Sequence, residues 1–168
     1  MTTDSLQQCI EALKTNWKGL DSLSIARCRE ALEKLAVSPP DEAWLVDLHV
    51  RKEPSVELYR DNDKGFVLLA HVEPRGLYRQ PHNHGNGWAF YAVQFGQVEM
   101  STYGIFRQDD REQLVSRGCY SMKPGDCSAF LPGDIHDTRC RSEYVLMFRL
   151  TSCDFSEEKR EGRLKVYS

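Results

Sequence analysis

Apolar positions in the first part of the chain recur with a helical period, and those in the remainder do not. Leu6, Ile10, Leu13 and Trp17 share one helical face and follow Asp4 or Ser5, either of which can cap a first turn. Leu23, Ala26, Ala31, Leu32 and Leu35 repeat the pattern from about Ser22 to Val37. Gly19 separates this second helix from the first, and Ser38-Pro39-Pro40-Asp41 stops it. Glu42 to His49 predicts one further short helix. From Glu57 the period changes. Glu57-Leu58-Tyr59-Arg60, the turn Asp61 to Gly65 and the apolar run Phe66 to Val72 form a hairpin signature. Trp88 to Phe95 is rich in β formers, turns at Gly96 and continues as Gln97 to Tyr103. Cys119 to Met122, Cys127 to Leu131 and Tyr144 to Leu150 complete a series of short strands, with turns at Gly118, Pro124-Gly125 and Pro132-Gly133.

Short strands punctuated by such turns predict an all-β barrel or sandwich. The expected organisation is a single domain: a helical region over residues 1–50, a β-barrel over 55–153 and a charged surface tail over 154–168. The tail, with Glu157, Glu158, Lys159, Arg160, Glu161 and Arg163, reads as a solvated face.

Composition narrows the function classes. At 168 residues one domain can bury roughly 70% of the surface its unfolded chain exposes. The net charge of −3, with 25 acidic against 22 basic residues, carries no nucleic-acid footprint. No apolar run approaches membrane-spanning length, and Met1-Thr2-Thr3-Asp4 does not begin a signal peptide. The expectation is therefore a soluble, cytoplasmic protein with neither nucleic-acid nor membrane partner. The six cysteines (Cys9, Cys28, Cys119, Cys127, Cys140 and Cys153) form no CxxC pair, so they read as free thiols packing as small hydrophobes.

The chemistry sits in three histidines. His82 and His84, in Pro81-His82-Asn83-His84-Gly85, lie two apart, so on an extended strand their side chains project to the same face. His136, from a later strand, can close a facial set of three. A first-row divalent metal held by neutral imidazoles keeps its full charge and has open positions for water, substrate or dioxygen.

These residues resemble the cupin motifs. Gly76, five residues, His82-Asn83-His84 and a later Gly96 look like the first; Gly125, six residues, Pro132-Gly133, two residues and His136 look like the second. The resemblance runs from about Leu58 to Leu150. It implies a mainly β fold, a cupin double-stranded β-helix (jelly-roll) barrel, behind N-terminal α-helices and with a metal inside. Many cupins place a metal-binding glutamate about four residues after the second histidine. Here Gly85, Asn86, Gly87, Trp88 and Ala89 occupy that stretch, and none offers a carboxylate.

A three-histidine site without glutamate resembles the thiol dioxygenases, the group of cysteine dioxygenase and 3-mercaptopropionate dioxygenase. The helical N-terminal region, Leu58-Tyr59-Arg60-Asp61 running into Phe66-Val67-Leu68, and Trp88 shortly after the histidine pair add to that likeness. It implies Fe(II) as cofactor, with zinc or nickel as the alternatives after purification, and a small carboxylated thiol and O2 as partners. The product implied is a sulfinic acid, made by a monomer or homodimer.

The chain also departs from that group. Ala89 stands where some members carry a tyrosine-linked cysteine, and the Ser-His-Tyr triplet of the last barrel strand is missing from Val145 to Thr151. Strand parity puts Ala89, Tyr91 and Val93 on one face, and Met147, Arg149 and Thr151 on another. If those faces point inward, Tyr91 supplies the missing catalytic hydroxyl and Arg149 a carboxylate clamp. Arg60 is the nearest arginine for the group's carboxylate anchor, although gapless counting back from Phe66 favours Ser55 or Val56. Trp88 reads as core or as a substrate platform. Asp134 and Asp137 flank His136 and can orient an imidazole or stand at the rim. His71 reads as a sheet histidine, His49 carries no signal, and Cys140 reads as a small buried side chain. Two other functions stay open: a three-histidine cupin dioxygenase cleaving a carbon–carbon bond, and a non-oxygenase cupin binding a small acid on zinc or nickel.

Overall fold

The computed structural model describes residues 3–152 and 155–168. Cys153, with Met1 and Thr2 of the leader argument, lies outside the described residues. The helices are α1 (Ser5–Asn16), α2 (Ser22–Ala36), α3 (Ala43–Arg51) and α4 (Phe155–Arg160). The strands are β1 (Val56–Asp61), β2 (Phe66–Pro74), β3 (Tyr78–His82), β4 (Ala89–Phe95), β5 (Val98–Gln108), β6 (Arg111–Met122), β7 (Cys127–Phe130), β8 (Ile135–Cys140) and β9 (Tyr144–Thr151).

Local chemistry sets the helix starts. Asp4 caps α1 by accepting from the Gln7 amide at 2.8 Å, and Asp21 caps α2 through the amides of Leu23 and Ser24 at 2.9 Å each. Each such cap contributes about 1 kcal/mol. None of the described helices is long and apolar enough to cross a membrane.

All strand pairs are antiparallel, in two facing sheets ordered β1-β2-β9-β4-β7 and β3-β8-β5-β6. Non-consecutive neighbours such as β2-β9-β4 and β3-β8-β5 make this a double-stranded β-helix, the cupin-type jelly roll expected above. The five-stranded sheet is covered on both sides. Its outer face, with Leu68, Ala70, Phe90, Ala92, Phe148 and Leu150, packs against Leu13, Leu32, Leu35 and Leu45 of the helices. Its inner face, with Ala89, Tyr91, Val93 and Met147, meets Val98, Met100, Met122 and Cys140 of the second sheet. Burial on both faces explains why β2, β4 and β9 read as nearly unbroken apolar runs.

The β5–β6 ribbon is longer than the sequence suggests. It continues past Tyr103 to Gln108 and returns from Arg111, turning at Asp109 and Asp110 with φ of 47° and 59°. Those two left-handed residues suit a two-residue hairpin. The extension is exposed on both faces, so it shows no apolar period. Cys9, Cys28, Cys127 and Cys140 are buried free thiols and Cys119 is an exposed one. Burial pushes the Cys9 and Cys127 thiols up to about 12, which keeps them protonated and inert.

Candidate metal centre

The two sheets bring the three histidines together. His82 ends β3, opposite His136 of β8, which in turn pairs with Thr102 of β5. His84 lies just beyond the strand end. The three rings have centroids 4.7–5.3 Å apart, and one nitrogen from each falls within a group less than 4.8 Å across. Among the described residues no carboxylate belongs to that group.

The donor set fits a first-row ion. Two imidazole nitrogens bound to one ion at about 2.0–2.1 Å lie about 2.8 to 3.4 Å apart for angles between square and tetrahedral. Nε2 of His84 and Nε2 of His136 are 3.2 Å apart. Nδ1 of His82 lies 2.8 Å from the Gln80 carbonyl, which holds the ring proton there and leaves Nε2 as the lone pair. Nδ1 of His84 and of His136 are buried with no partner among the described residues. Asp137 does not orient them: its carboxylate accepts from Tyr78 at 3.0 Å, Tyr103 at 2.7 Å and the Ser101 amide at 3.1 Å. Asp134 is likewise engaged, by the Leu131 amide at 2.7 Å. Aromatic plates position the rings instead. Phe155 stacks on His84 at 4.7 Å and 11°, and Phe130 stacks on His136 at 4.0 Å and 26°.

Burial first, then mutual proximity and the Arg149 guanidinium, keep these imidazoles neutral. His84 is held down to about 3, and His136 well below its ordinary 6.5. His82 is lowered by burial as well. His71, at about 3, is lowered by burial and by Arg149. The unfolded chain therefore takes up protons below pH 6.5 that the folded chain refuses. The metal-free protein should lose stability as pH falls from 6.5 towards 3, by up to about 1.4 kcal/mol per pH unit for each such imidazole. Urea midpoints across that range measure the slope. His71→Gln should make it shallower by about one proton, and an unchanged slope would contradict this account.

Tyr91 and Arg149 face inward as cross-strand partners on β4 and β9. The Tyr91 hydroxyl is 3.3 Å from Nε2 of His84 and within hydrogen-bonding reach of Arg149. Desolvation raises the Tyr91 phenol, so it stays protonated. Both side chains line a cavity of about 650 Å³ beside His82, with Met147 and Phe155.

Arg60 and Trp88 are not brought to this cavity. Arg60 is exposed on β1, where it pairs with Glu57 at 2.7 Å, and a register shift between Glu57 and Tyr59 breaks the parity that would aim it inward. Trp88 has the opposite parity to Tyr91 and is buried on the helix side, 4.2 Å from Trp17. Cys140 is buried and donates to the Ser142 carbonyl at 3.5 Å. His49 is engaged far from the site by Tyr144 and Gln94.

Sequence reasoning missed Phe155, Glu73 and the role of the tail. Glu73 and His71 share the inner face of β2, so two polar residues two apart in an apolar run were the available signal. Most of the tail is exposed, including Glu157, Lys159, Arg160 and Glu161, but Glu158 turns inward. The Glu158 side chain accepts from the Asn86 amide at 3.1 Å and from Arg163 at 2.9 Å, and Glu158 is only 7% exposed. The Asn83 amide donates to the Lys165 carbonyl at 3.0 Å, and the Tyr167 amide to the Pro81 carbonyl at 2.8 Å. The segment thus straps the loop that carries His82 and His84. Its alternating charges hid this, because half of them answer one another.

No protein-family model matches the chain, and no curated protein matches it. Solved structures with a similar fold include the cupin domain of Schizosaccharomyces pombe Cnp3, at 14% identity and TM-score 0.48, covering 65% of this chain and 66% of that one. KdgF from Halomonas sp. is 14% identical with TM-score 0.44, over 58% of this chain and 74% of that one. A cupin superfamily protein from Desulfitobacterium hafniense DCB-2 is 14% identical with TM-score 0.43, over 60% and 76%. This chain thus spans just under two thirds of the Cnp3 domain. Likenesses this distant say nothing about chemistry; the fold rests on the strand order itself, and the site on its own geometry.

Proposed function

We propose that the three imidazoles hold Fe(II) and that the protein is a thiol dioxygenase, oxidising a small carboxylated thiol such as cysteine or 3-mercaptopropionate to its sulfinic acid. The supporting observation is the convergence of the His82, His84 and His136 nitrogens, without a carboxylate, beside the buried Tyr91–Arg149 couple. A ligand set of neutral groups leaves the ion its full charge, which favours an anionic thiolate. The reaction balances without an external reductant: RSH and O2 give RSO2H, the sulfur losing four electrons and the two oxygen atoms gaining them. Bound iron supplies the redox chemistry.

The side chains supply the rest. Arg149 holds the substrate carboxylate, since a guanidinium fork matches that group. The protonated Tyr91 hydroxyl donates a hydrogen bond to the reacting sulfur or oxygen. Phe130, Phe155 and Met147 keep bulk water from the imidazoles.

Anaerobic Fe(II) reconstitution followed by O2-electrode assays across a thiol panel tests the reading. Thiol-dependent uptake with a sulfinate product 32 mass units heavier is the expected result. Uptake confined to diketones would replace it with carbon–carbon cleavage, and full zinc occupancy without O2 consumption would replace it with a non-oxygenase cupin. Arg149→Gln should lower kcat/KM for carboxylated thiols about 30- to 150-fold, corresponding to about 2–3 kcal/mol for a charge-assisted pair. The same change should spare 2-mercaptoethanol, and an equal loss on both substrates would remove Arg149 from this role.

A further inference from the structure

Of the three imidazoles, only that of His84 stands outside the barrel strands. His82 ends β3 with its ring proton held by the Gln80 carbonyl at 2.8 Å, and His136 lies in β8, paired on one side with β3 and on the other with β5. His84 sits on irregular backbone between β3 and β4, and its buried Nδ1 has no partner among the described residues. The C-terminal segment frames that stretch. On one side of His84 the Asn83 amide donates to the Lys165 carbonyl at 3.0 Å, and Oδ1 of Asn83 accepts from the Lys165 amide at 2.8 Å. On the other side the Asn86 amide donates to Oε2 of Glu158 at 3.1 Å. Gly85 lies between them with φ +61°, and a Cβ there would run into the Glu158 carboxylate and Arg163. The carboxylate thus rests against bare backbone one residue past the ligand.

That carboxylate is itself gripped. Arg163 donates from Nε to Oε2 and from Nη2 to Oε1, each at 2.9 Å, a two-point match that fixes the direction of the acceptor as well as its position. Glu158 is buried, so water competes poorly for the Asn86 amide. Phe155, on the same short helix α4, stacks on the His84 ring. A metal-binding imidazole is ordinarily aimed by an acceptor on its other ring nitrogen. His84 has none, so its aim comes from the backbone that carries it and the ring behind it, and α4 delivers both. We infer that Glu158 is a positioning residue for His84: held by Arg163, it fixes the loop so that the imidazole meets an ion already aimed. Docking of the C-terminal segment and metal binding are then linked, since whatever factor docking adds to metal affinity, metal adds to docking. This rests on the three imidazoles holding an ion, and the thiol reaction plays no part in it.

Co(II) is titrated into the full chain after a chelator has removed other metals, and its visible absorption gives both a Kd and a signature of ligand geometry. Glu158→Ala should raise the Co(II) Kd about 10- to 100-fold, as loss of a group that orients a ligand does, and should alter the band shape. Glu158→Gln keeps an oxygen for the Asn86 amide but no charge for Arg163, so its Kd should fall between those of Ala and the native chain. Thermal unfolding of the metal-free proteins separates positioning from a merely structural role. A Glu158→Ala chain that melts earlier yet binds Co(II) with native Kd and spectrum would overturn the inference. Should that variant fail to fold, hydrogen exchange read by mass spectrometry on the native chain decides. Saturating Co(II) should slow the segments around Asn86 and Lys165 about tenfold or more relative to α1, and equal exchange with and without metal would overturn the linkage. A native chain that takes up no Co(II) would remove the metal centre and this inference together, whereas equal affinity of native and Glu158→Ala chains removes only the inference.

Discussion

His136→Ala should abolish metal-dependent stabilisation and reduce thiol-dependent O2 uptake at least about a thousand-fold, while the metal-free fold survives. Even a residue that only orients a ligand is worth about 10- to 100-fold in affinity or activity, so loss of a ligand itself costs more. His136 is fully buried and its Nε2 stands 3.2 Å from that of His84, so its loss takes a donor from the middle of the cluster. In the metal-free protein two effects oppose. The variant loses packing against Phe130, 4.0 Å away, and is relieved of the unpartnered Nδ1. Each is worth about 1–3 kcal/mol, so the unfolding temperature without metal should move by only a few degrees. The native chain should gain about 2.7 kcal/mol when metal stands at a hundred times its Kd. Thermal unfolding with and without Fe(II) or zinc, in both proteins, gives the answer. A variant stabilised by metal as much as the native chain would show that the imidazoles do not act together.

Gly96→Ala should destabilise the fold by about 3–5 kcal/mol, a large share of the about 5–15 kcal/mol of an ordinary domain. Gly96 turns β4 into β5 at φ +83°, where side chains are strained. An added Cβ would also run into the Tyr144 carbonyl oxygen, the Ser142 hydroxyl and Cα of Val145. Ser142 cannot step aside freely, because it accepts from the Gln97 amide at 2.8 Å and donates to the Tyr144 carbonyl at 2.6 Å. Gly133→Ala is the control. Its φ is +87°, but nothing lies within 4 Å of the added atom, so only backbone strain of about 1–2 kcal/mol remains. Urea unfolding should separate the two variants, and equal losses would show that crowding at Gly96 counts for nothing.

The features that could be read from the chain are those with a strong local period. The N-terminal helices announced themselves by spacing and caps, and β2, β4 and β9 by apolar runs that two-sided burial demands. Each histidine stood at a fixed interval from a glycine that turns the chain. Parity grouped Tyr91 with Ala89 and Val93, and Arg149 with Met147, because β4 and β9 keep regular register through that stretch, but which face turns inward came from the structure. Arg60 could not be placed the same way, since the shift at Glu57/Tyr59 leaves no mark in the residues around it. The outer half of the β5–β6 ribbon had no core to face and therefore no pattern. Phe155 and Glu158 were illegible for another reason: their contacts, with His84 and Asn86, join positions about seventy residues apart.

The strap formed by residues 155–168 bears on the order in which the molecule is made. During synthesis, His82, His84 and His136 leave the ribosome before Phe155 and Val166 do. A barrel able to bring its imidazoles together at that stage still lacks the ring that stacks on His84 and the backbone bridge from Val166 to His82. The three rings therefore gain their full cover only once residues 155–168 have settled, which makes the enclosure of the imidazole cluster a late event in the making of this part of the chain.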